Sequence, residues 1–546
     1  MRRLLLSLAL LVAVSANAQE DDWQRGYEQY KKQAMQEYED YRKQCLAEYI
    51  DYVRQAWKEY GVKAPEQPPK EERIRKPVQM DEPDMETATW LGDWMRKLGK
   101  NVKTLSKKAL HRKGKVMIPK EVIEMPDEEQ PQPVAEIVEV PDEPNPYHTF
   151  RVFGTEFRVR FGDNCRFTLR GVSENDVADA MGLFLKPQFD NMLHDCFQER
   201  ERSSLSDWAY YEMLKAFTDE AYGKDSNEAT LVLSWLFSSS GYKVRLGRLD
   251  STLYLLVASS YHLFHKAYVW ISSENAFFYE LSGRLSKDST QPMPICEAKY
   301  EKEGNLRLQI PSLQRLAVSQ TEERTITSKL DKDFSFTIRP NANYLKFLDS
   351  YPDGWINGHQ QTRWAIRANM PMEQSVAEQL YPLMRKKLEG LTKVQAVEQL
   401  LSWVSSGLVY GNDDERWGRD RVFFAEETLH YDICDCEDKS ILLSRLVRDL
   451  VGLDVVLLFY EFGTINGLRQ KLGHIATAVC IPDGEGVQDS WDNYVIDGRK
   501  YYVCDPCYIN NREESISSIG SQMFYYKDKE NQAEVVKLEK ASGMRQ

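Results

Sequence analysis

The 546-residue sequence has no long hydrophobic run beyond its first 18 residues. No later segment reaches the roughly 18 consecutive apolar residues of a membrane-spanning helix. Basic residues are also in the minority, since 71 Lys and Arg stand against 84 Asp and Glu and leave a net charge of −13. General nucleic-acid binding depends on clustered positive charge. We therefore expect neither transmembrane helices nor a nucleic-acid partner.

Cysteine is scarce and odd in number. The chain contains nine cysteines, so at least one thiol stays unpaired or pairs with another molecule. In an exported protein such a count is compatible with one functional thiol.

The N-terminus is typical of a cleavable export signal. Arg2 and Arg3 form a basic start, an apolar stretch covers residues 4–14, and residues 16–18 read Ala-Asn-Ala, an A-x-A cleavage pattern. No cysteine follows that pattern, so a lipid anchor is not expected there. We predict cleavage after Ala18 and a soluble mature protein in the periplasm or outside the cell.

The next two segments are predicted from periodicity and composition. Aromatic residues at three- and four-residue steps predict an amphipathic helix over residues 19–62. Prolines within acidic sequence predict a linker over residues 63–148. Its residues 96–115 carry nine Lys or Arg and predict a short basic helix. This helix either contacts an anionic envelope polymer or forms a solvated face that pairs with the acidic stretch after it.

From Thr149 onwards the sequence has the alternating and helical patterns of globular domains. A hairpin is predicted around Gly154, and helical and strand patterns follow. We divide this part into a first unit over residues 149–300, connecting strands over 301–345 and a second unit over 346–546.

One helix of the second unit carries a cysteine at its start. Asp435 and Asp438 have the spacing of a helix-capping pair, and the apolar pattern continues to about Leu450. Cys436 then lies in the first turn, where backbone N–H groups and the helix dipole favour a thiolate. The same N–H groups can donate to an oxyanion.

Two further residues complete a candidate catalytic set. His474 opens the apolar strand IATAVCI, and Asp505 ends the strand YYVC. Neighbouring strands can present an imidazole as the base and a carboxylate that orients it. Each residue alone has an ordinary interpretation, as a buried thiol, a filler or a turn former. Their occurrence together, in this order, favours the functional interpretation.

These segments carry a resemblance to a known superfamily. Residues from about 346 to 546 resemble the transglutaminase-like superfamily, whose architecture is papain-like, through DCEDKSILLSRLVRDLVG, GHIATAV and YYVCDPCY. The whole chain resembles exported members of this superfamily from Bacteroides-type bacteria. The resemblance implies an α+β fold with the cysteine helix packed on an antiparallel sheet. It also implies a catalytic triad of Cys436, His474 and Asp505, with no cofactor and no metal.

Two cysteines depart from the superfamily pattern. Cys507 follows Asp-Pro where Thr or Ser is usual, and Cys434 lies two residues before the nucleophile. With Cys436 and Cys504 they offer a spacing that could hold zinc, which would prevent nucleophilic work. A Cys434–Cys507 disulfide or free thiols are the favoured alternatives, because the resemblance explains Cys436 without a metal.

An internal repeat is predicted as well. Residues 226–237 match 436–447 without a gap, and a glycine and a strand follow each. In this alignment Ser226 replaces Cys436, Leu281 falls near Asp505, and His265 loosely answers to His474. The first unit is therefore predicted to be a degenerate copy without thiol chemistry.

The leading functional hypothesis is a thiol-dependent amide hydrolase or acyl transferase acting on peptide or protein substrates. Hydrolysis is favoured because no amine-binding pocket can be identified. The alternative is a non-catalytic envelope binding or scaffold protein that keeps the fold. In a third hypothesis the first unit docks substrate for the second. Glu426 and Glu427 are interpreted as surface charge rather than as groove residues.

Overall fold

The computed structural model describes most of the chain. The described residues are 20–68, 114–134, 137, 139–140, 145–285, 291–300, 302–465, 468–507, 519–520 and 532–541. The predicted signal sequence and nearly all of the predicted basic helix lie outside them. No described helix is both long enough and apolar enough to cross a bilayer. Helices and mainly antiparallel sheets together give the α+β class that the sequence predicted.

A long helix opens the described chain and is followed at once by a strand. Helix α1 (Glu20–Gln55) ends earlier than the predicted residue 62, because Trp57–Lys63 forms strand β1. Gly61 and the residues before it pair with a strand far along the chain, and Val62 is buried beneath that sheet. Aromatic periodicity alone could not reveal such a distant partner.

The N-terminal unit continues with a hairpin and several helices. Strands β2 (Val116–Met117) and β3 (Glu121–Ile123) belong to a later sheet. The predicted hairpin consists of β4 (Tyr147–Val152) and β5 (Thr155–Arg160), which turn through two residues of positive φ. The helices are α2 (Glu174–Met181), α3 (Pro187–Ser203), α4 (Asp207–Tyr222) and α5 (Asn227–Ser239), with 3-10 turns at Asp163–Cys165 and Gly182–Leu185.

A closed barrel forms the sheet of this unit. Its further strands are β6 (Val244–Leu249), β7 (Thr252–Ser259), β9 (Tyr268–Ile271), β10 (Ala276–Glu280) and β11 (Pro292–Cys296). They close with β1 in the order β1-β11-β6-β7-β10-β9. Apolar side chains, among them Leu256, Val269 and Ile295, fill a core of their own in this region.

Short elements connect the two units. Strands β12 (Arg324–Thr327) and β13 (Ser335–Ile338) form a hairpin that packs into the core of the C-terminal unit. Helix α6 (Ala342–Ser350) instead joins the core of the N-terminal unit. Strand β14 (Gly354–Trp355) pairs with β8 (His262–Leu263), so the units are also joined by backbone hydrogen bonds.

The C-terminal unit surrounds one central helix, α12 (Cys436–Leu446), all of whose residues are buried. A π-helical turn, Val447–Val451, continues it close to the predicted end at Leu450. Around it lie α7 (Thr362–Asn369), α8 (Gln374–Leu388), α9 (Lys393–Gly407), α10 (Asp413–Arg416) and α11 (Ala425–His430), with the paired strands β15 (Val409–Tyr410) and β16 (Ile433–Cys434).

A seven-stranded sheet packs against this helix. Its strands in the C-terminal unit are β17 (Val455–Ile465), β18 (Leu468–Val479), β19 (Asn493–Ile496), β20 (Arg499–Cys504) and β21 (Glu534–Lys537). The order is β2-β19-β20-β18-β17-β21-β3, so both edge strands come from the short stretch 116–123. That part of the predicted linker is therefore a structural element.

The two sheets share one strand order. In each unit, the five strands of the sheet that follow α5 or α12 can be numbered one to five in chain order. Across the sheet they then stand in the order five, one, two, four, three, and all neighbours are antiparallel. In the N-terminal unit these are β11-β6-β7-β10-β9, and in the C-terminal unit β21-β17-β18-β20-β19. The prediction of two related units stays a proposal, and this shared order is the observation that supports it.

Candidate active site

The start of α12 is held by reciprocal polar contacts. Asp435 is the N-cap residue, as the sequence predicted, and its backbone N–H donates to Asp438 Oδ2 at 3.1 Å. The other oxygen, Asp438 Oδ1, accepts from the backbone N–H of Phe423 at 2.8 Å. A carboxylate at this helix end is favoured by the dipole. Cys436 is consequently fixed as the first helical residue.

His474 and Asp505, which the sequence predicted to lie close together, form a direct pair. The imidazole Nε2 lies 2.9 Å from Asp505 Oδ2, and both side chains are buried. The second carboxylate oxygen, Oδ1, accepts from the backbone N–H of Cys507 at 3.0 Å. An imidazole N–H at Nε2 can donate to this carboxylate, and in that tautomer Nδ1 is the basic nitrogen.

A β-bulge sets the position of His474. The residue lies inside β18 rather than at its start, because the β17–β18 hairpin extends beyond it. The register shifts between Tyr460 and Phe462, so that Glu461 faces two residues, one of them Gly473 at a φ of +58°. Glycine adopts this left-handed conformation without steric cost. Bulges of this kind redirect the side chain that follows.

Aromatic side chains support the imidazole. Tyr460 is the cross-strand partner of His474, and the two rings are stacked with centroids 6.2 Å apart and planes 21° apart. Tyr494 donates its hydroxyl hydrogen to the Tyr460 hydroxyl at 3.2 Å. Burial raises the pKa of Tyr460 well above its ordinary value, so the phenol stays neutral. A neutral, hydrogen-bonded ring restricts rotation of the imidazole.

Helix α12 packs against strand β18 next to His474. Ser440 donates its hydroxyl hydrogen to the Ile475 carbonyl at 3.1 Å, one residue beyond His474. The short link after α12 reverses the chain into β17, so β18 runs in the same direction as the helix. Cys436 lies four residues before Ser440, which is about 6 Å along the helix axis. The same distance covers roughly two residues of a strand, from Ile475 back to Gly473. The first turn of α12 therefore faces the bulge at Gly473, and Cys436 and Ile475 share one apolar cluster.

The thiol itself is buried and engaged with a carboxylate. Cys436 is 2% exposed and donates its proton to Glu437 Oε2 at 3.2 Å. Glu437 is also fully buried. This contact could not be predicted from the sequence, because adjacent helical residues ordinarily point apart.

Acidic side chains gather beside the thiol. Asp413, Asp420 and Glu437 place carboxylate oxygens within 4.8 Å of one another, as do the ligand atoms of Asp435, Cys436 and Glu437. Asp413 accepts from the backbone N–H of Arg421 at 2.6 Å. Oxygen-rich sets of this kind suit hard cations. In the described part of the chain these are the two groups that bring three possible ligands together.

The remaining cysteines do not assemble a zinc site in the described residues. All nine cysteines are described, and each is a thiol. Cys504 packs in a different apolar cluster from Cys436 and Cys507, and neither three-ligand group includes Cys434, Cys504 or Cys507. Burial raises the pKa of Cys434 to about 12, and it also raises the pKa values of Cys504 and Cys507. These thiols therefore remain protonated at neutral pH.

The interpretation of Glu426 and Glu427 as surface charge is wrong. Both are 2% exposed. Glu427 accepts from the backbone N–H of Phe424 at 3.0 Å and pairs with Arg421, so it caps the start of α11. Glu426 accepts from the backbone N–H of Glu373, and burial raises its pKa to about 7. Acidic residues in a first helical turn were a usable signal for the cap.

A cavity lies close to the same apolar cluster. Its volume is about 190 Å³, and it lies between the start of α7 and the outer part of the β17–β18 hairpin. Trp364 and Phe459 line it and also belong to the cluster around Cys436. The other lining residues are Gln360, Gln361, Arg363, Glu461, Lys471 and Glu534. Such a polar lining with an aromatic wall suits an amide-bearing or charged side chain.

Strand register locates the counterparts of the site in the N-terminal unit. In the C-terminal unit the sixth residue of β17, Tyr460, pairs with His474. In the N-terminal unit the sixth residue of β6, Leu249, pairs with Thr252. Val479 pairs with Tyr502, and Val257 with Tyr279. Asp505 lies three residues after Tyr502, and Ser282 lies three residues after Tyr279. The register therefore puts Thr252, and not His265, at the place of His474, because the sequence alignment carried no register information. At the place of Asp505 it puts Ser282, the neighbour of the predicted Leu281.

Comparisons with protein families, with curated proteins and with solved structures find no match to this chain.

Proposed function

We propose that this protein is an exported, thiol-dependent amide hydrolase of the transglutaminase-like type. The observation that carries the proposal is the buried 2.9 Å contact between His474 and Asp505 beside the helix start that bears Cys436. Helix α12, which begins at Cys436, contacts β18 one residue beyond His474 through the Ser440 hydroxyl. A base, an orienting carboxylate and a thiol in that arrangement support acyl chemistry.

The proposed reaction has two steps. In the first, His474 Nδ1 takes the Cys436 proton, the sulfur attacks the amide carbonyl carbon, and backbone N–H groups of the first turn stabilise the oxyanion. The imidazolium then protonates the leaving amine as the carbon–nitrogen bond breaks, which leaves a thioester. In the second step, His474 takes a proton from water, the hydroxide attacks the thioester, and the acid and the restored thiol are released.

The substrate is proposed to be a peptide or protein with an accessible amide. The 190 Å³ cavity with its Trp364 and Phe459 wall is the proposed site for a side chain of that substrate. Water is the proposed acceptor.

The test is to trap the intermediate. The mature protein is incubated with amide-containing peptide libraries, quenched in acid and analysed by intact mass. We expect an acyl adduct on the wild type and its absence in Cys436→Ala, whereas Cys45→Ala, which removes an exposed thiol, keeps it. Turnover that persists in Cys436→Ala would contradict the proposal.

A second candidate function follows from the burial of the Cys436 thiol. A sulfur that is 2% exposed and hydrogen-bonded to Glu437 also fits a binding protein that retains the fold without turnover. In that case no acyl adduct forms with any library, and the libraries bind equally well to wild type and Cys436→Ala.

A further inference from the structure

Helix α1 uses one face to contact the body of the protein. Leu46 and Ile50 pack against the backbone at Gly182, and Val53 is fully buried. Arg54 forms an ion pair with Asp179 on the same side. Among the described side chains of this 36-residue helix, those in contact with the body lie in its last three turns.

A different face of α1 carries exposed aromatic residues. Tyr30 is 55% exposed, Tyr41 67% and Tyr52 44%, and Cys45 is exposed beside them. At 100° per residue this face lies about 120° around the helix from the face that contacts the body. We call it the tyrosine stripe. The body reaches its C-terminal end, where the backbone N–H of Lys299 donates to the Tyr52 hydroxyl at 3.1 Å. Tyr30 and Tyr41 lie before the part of the helix that packs on Gly182.

The stripe is generated by an 11-residue repeat. Residues 23–33, 34–44 and 45–55 read WQRGYEQYKKQ, AMQEYEDYRKQ and CLAEYIDYVRQ. The fifth and eighth positions are Tyr in all three repeats, and the eleventh is Gln. An 11-residue period corresponds to about 3.67 residues per turn, which keeps one line of side chains on one face of a long helix and is the period of paired helices with a slight right-handed supercoil.

Charge flanks the stripe in a pattern that suits a second copy. The fourth position of the repeat is Glu in two repeats (Glu37, Glu48), and the ninth is basic in two (Lys31, Arg42). These positions lie about 70° to either side of the stripe centre. In a parallel two-fold pair the acidic flank of each helix lies against the basic flank of the other, whereas an antiparallel pair sets like charges together.

We propose that α1 pairs in parallel and in register with α1 of a second copy of this chain, along the tyrosine stripe. A second copy is the partner because it carries the same 11-residue period and the complementary flank. The body-contacting face points away from the pair, so both globular bodies are accommodated at the same end. Cys45 then lies next to Cys45 of the second copy.

Sedimentation of the mature protein at about 10 to 100 µM tests the surface. We expect a dimer, and in Tyr30→Glu/Tyr41→Glu a dissociation constant at least about 10-fold higher, since two aromatic contacts are lost per helix and like charges are added. The matched control is Gln36→Glu/Lys43→Glu, which changes exposed residues on the opposite side of the same helix and leaves the dimer intact. A monomer throughout, or a dimer that survives the tyrosine changes, overturns the proposal.

Oxidative cross-linking tests the direction. Copper-phenanthroline in air removes one hydrogen from each of two thiols, forms one disulfide and reduces oxygen. Because the other eight cysteines are buried, a covalent dimer that disappears in Cys45→Ser is expected. A dimer that does not cross-link through Cys45 overturns the parallel arrangement.

Discussion

The N-terminal and C-terminal units place the same strand order around a helix, but they differ at the three positions where the C-terminal unit has the residues proposed for thiol chemistry. The first helical residue is Asn227 in one and Cys436 in the other. Thr252 and Ser282 occupy the places of His474 and Asp505. A shared scaffold therefore presents three positions at one point, and the side chains at those positions decide what can happen there.

The N-terminal unit shows how close these positions are. Asn227 Oδ1 accepts from the backbone N–H of Leu253 at 2.9 Å, and its amide donates to the Ser251 carbonyl at 2.8 Å. The first helical residue thus touches both neighbours of Thr252. In the C-terminal unit, Cys436 occupies the position of Asn227 and His474 occupies the position of Thr252.

An arginine closes the N-terminal site. Arg284 donates to the Asp225 carbonyl, to Thr230 Oγ1 and to the Leu253 carbonyl at 2.8, 3.1 and 3.0 Å, and its Nε donates to Ser282 Oγ at 3.1 Å. The space that a base and a substrate need is taken by a fixed cation.

The largest expected effect is a difference between substitutions at Asp505 and at Ser282, the matching position of the N-terminal unit. Asp505→Asn should lower the rate of amide hydrolysis by about 10² to 10⁴-fold, because the amide no longer fixes the protonated Nε2 tautomer. Ser282→Ala should leave the rate unchanged. Steady-state kinetics on one hydrolysed peptide makes the measurement, and equal rates in the two variants would remove the distinction between the units.

A second prediction concerns the glycines three residues before the first strand of each unit. A Cβ at Gly241 would lie 1.9 Å from the Gln132 carbonyl oxygen, whereas none of the described residues lies within 4 Å of a Cβ at Gly452. Both have positive φ, 97° and 71°. Gly241→Ala should destabilise by about 3 kcal/mol or more through a backbone clash, and Gly452→Ala by about 1 kcal/mol through strain alone.

Denaturant midpoints at fixed pH measure this difference. Equal losses would mean that the Gln132 segment moves aside, and the N-terminal unit would then not depend on that contact.

Each unit also has a carboxyl whose pKa burial raises to about 7, Glu212 in the first and Glu426 in the second. A raised folded pKa stabilises the protonated form, so stability is highest below the unfolded pKa of about 4.5, falls as pH rises to about 7, and then levels. The decline amounts to roughly 3 kcal/mol per group. Glu426→Gln and Glu212→Gln should each flatten it.

Unfolding free energies at pH 5 and pH 8 test this expectation. A pH dependence unchanged in both variants would show that neither carboxyl is protonated in the folded state at pH 5 to 7.

The sequence revealed those parts of the site that depend on local order. The Asp435 cap, the helix it starts and the strand that ends before Asp505 follow from residues a few positions apart. Strand β1, the burial of Glu426 and the Cys436–Glu437 contact depend on partners brought together by the fold, or on one side-chain conformation. The bulge before His474 was only partly predictable. The sequence shows a glycine inside a strand pattern, but it does not show the φ of that glycine.

The smallest expected effect concerns that bulge. Gly473→Ala places a side chain at a φ of +58°, a strain of about 1 to 2 kcal/mol, and should shift His474 enough to lower hydrolysis about 10-fold. Gly452→Ala has a similar strain away from the site and serves as the control. Loss of stability in both variants with loss of activity only in Gly473→Ala is the expected result, and equal activity in both would contradict it.

The most direct test of the central claim is the pH dependence of Cys436 alkylation by iodoacetamide, followed by peptide mass spectrometry with the exposed Cys45 as an internal standard. If His474 and Asp505 activate the thiol, Cys436 reacts faster than Cys45 below pH 7, and His474→Ala removes that advantage. A Cys436 that reacts no faster than Cys45 at any pH, with or without His474, would contradict the account.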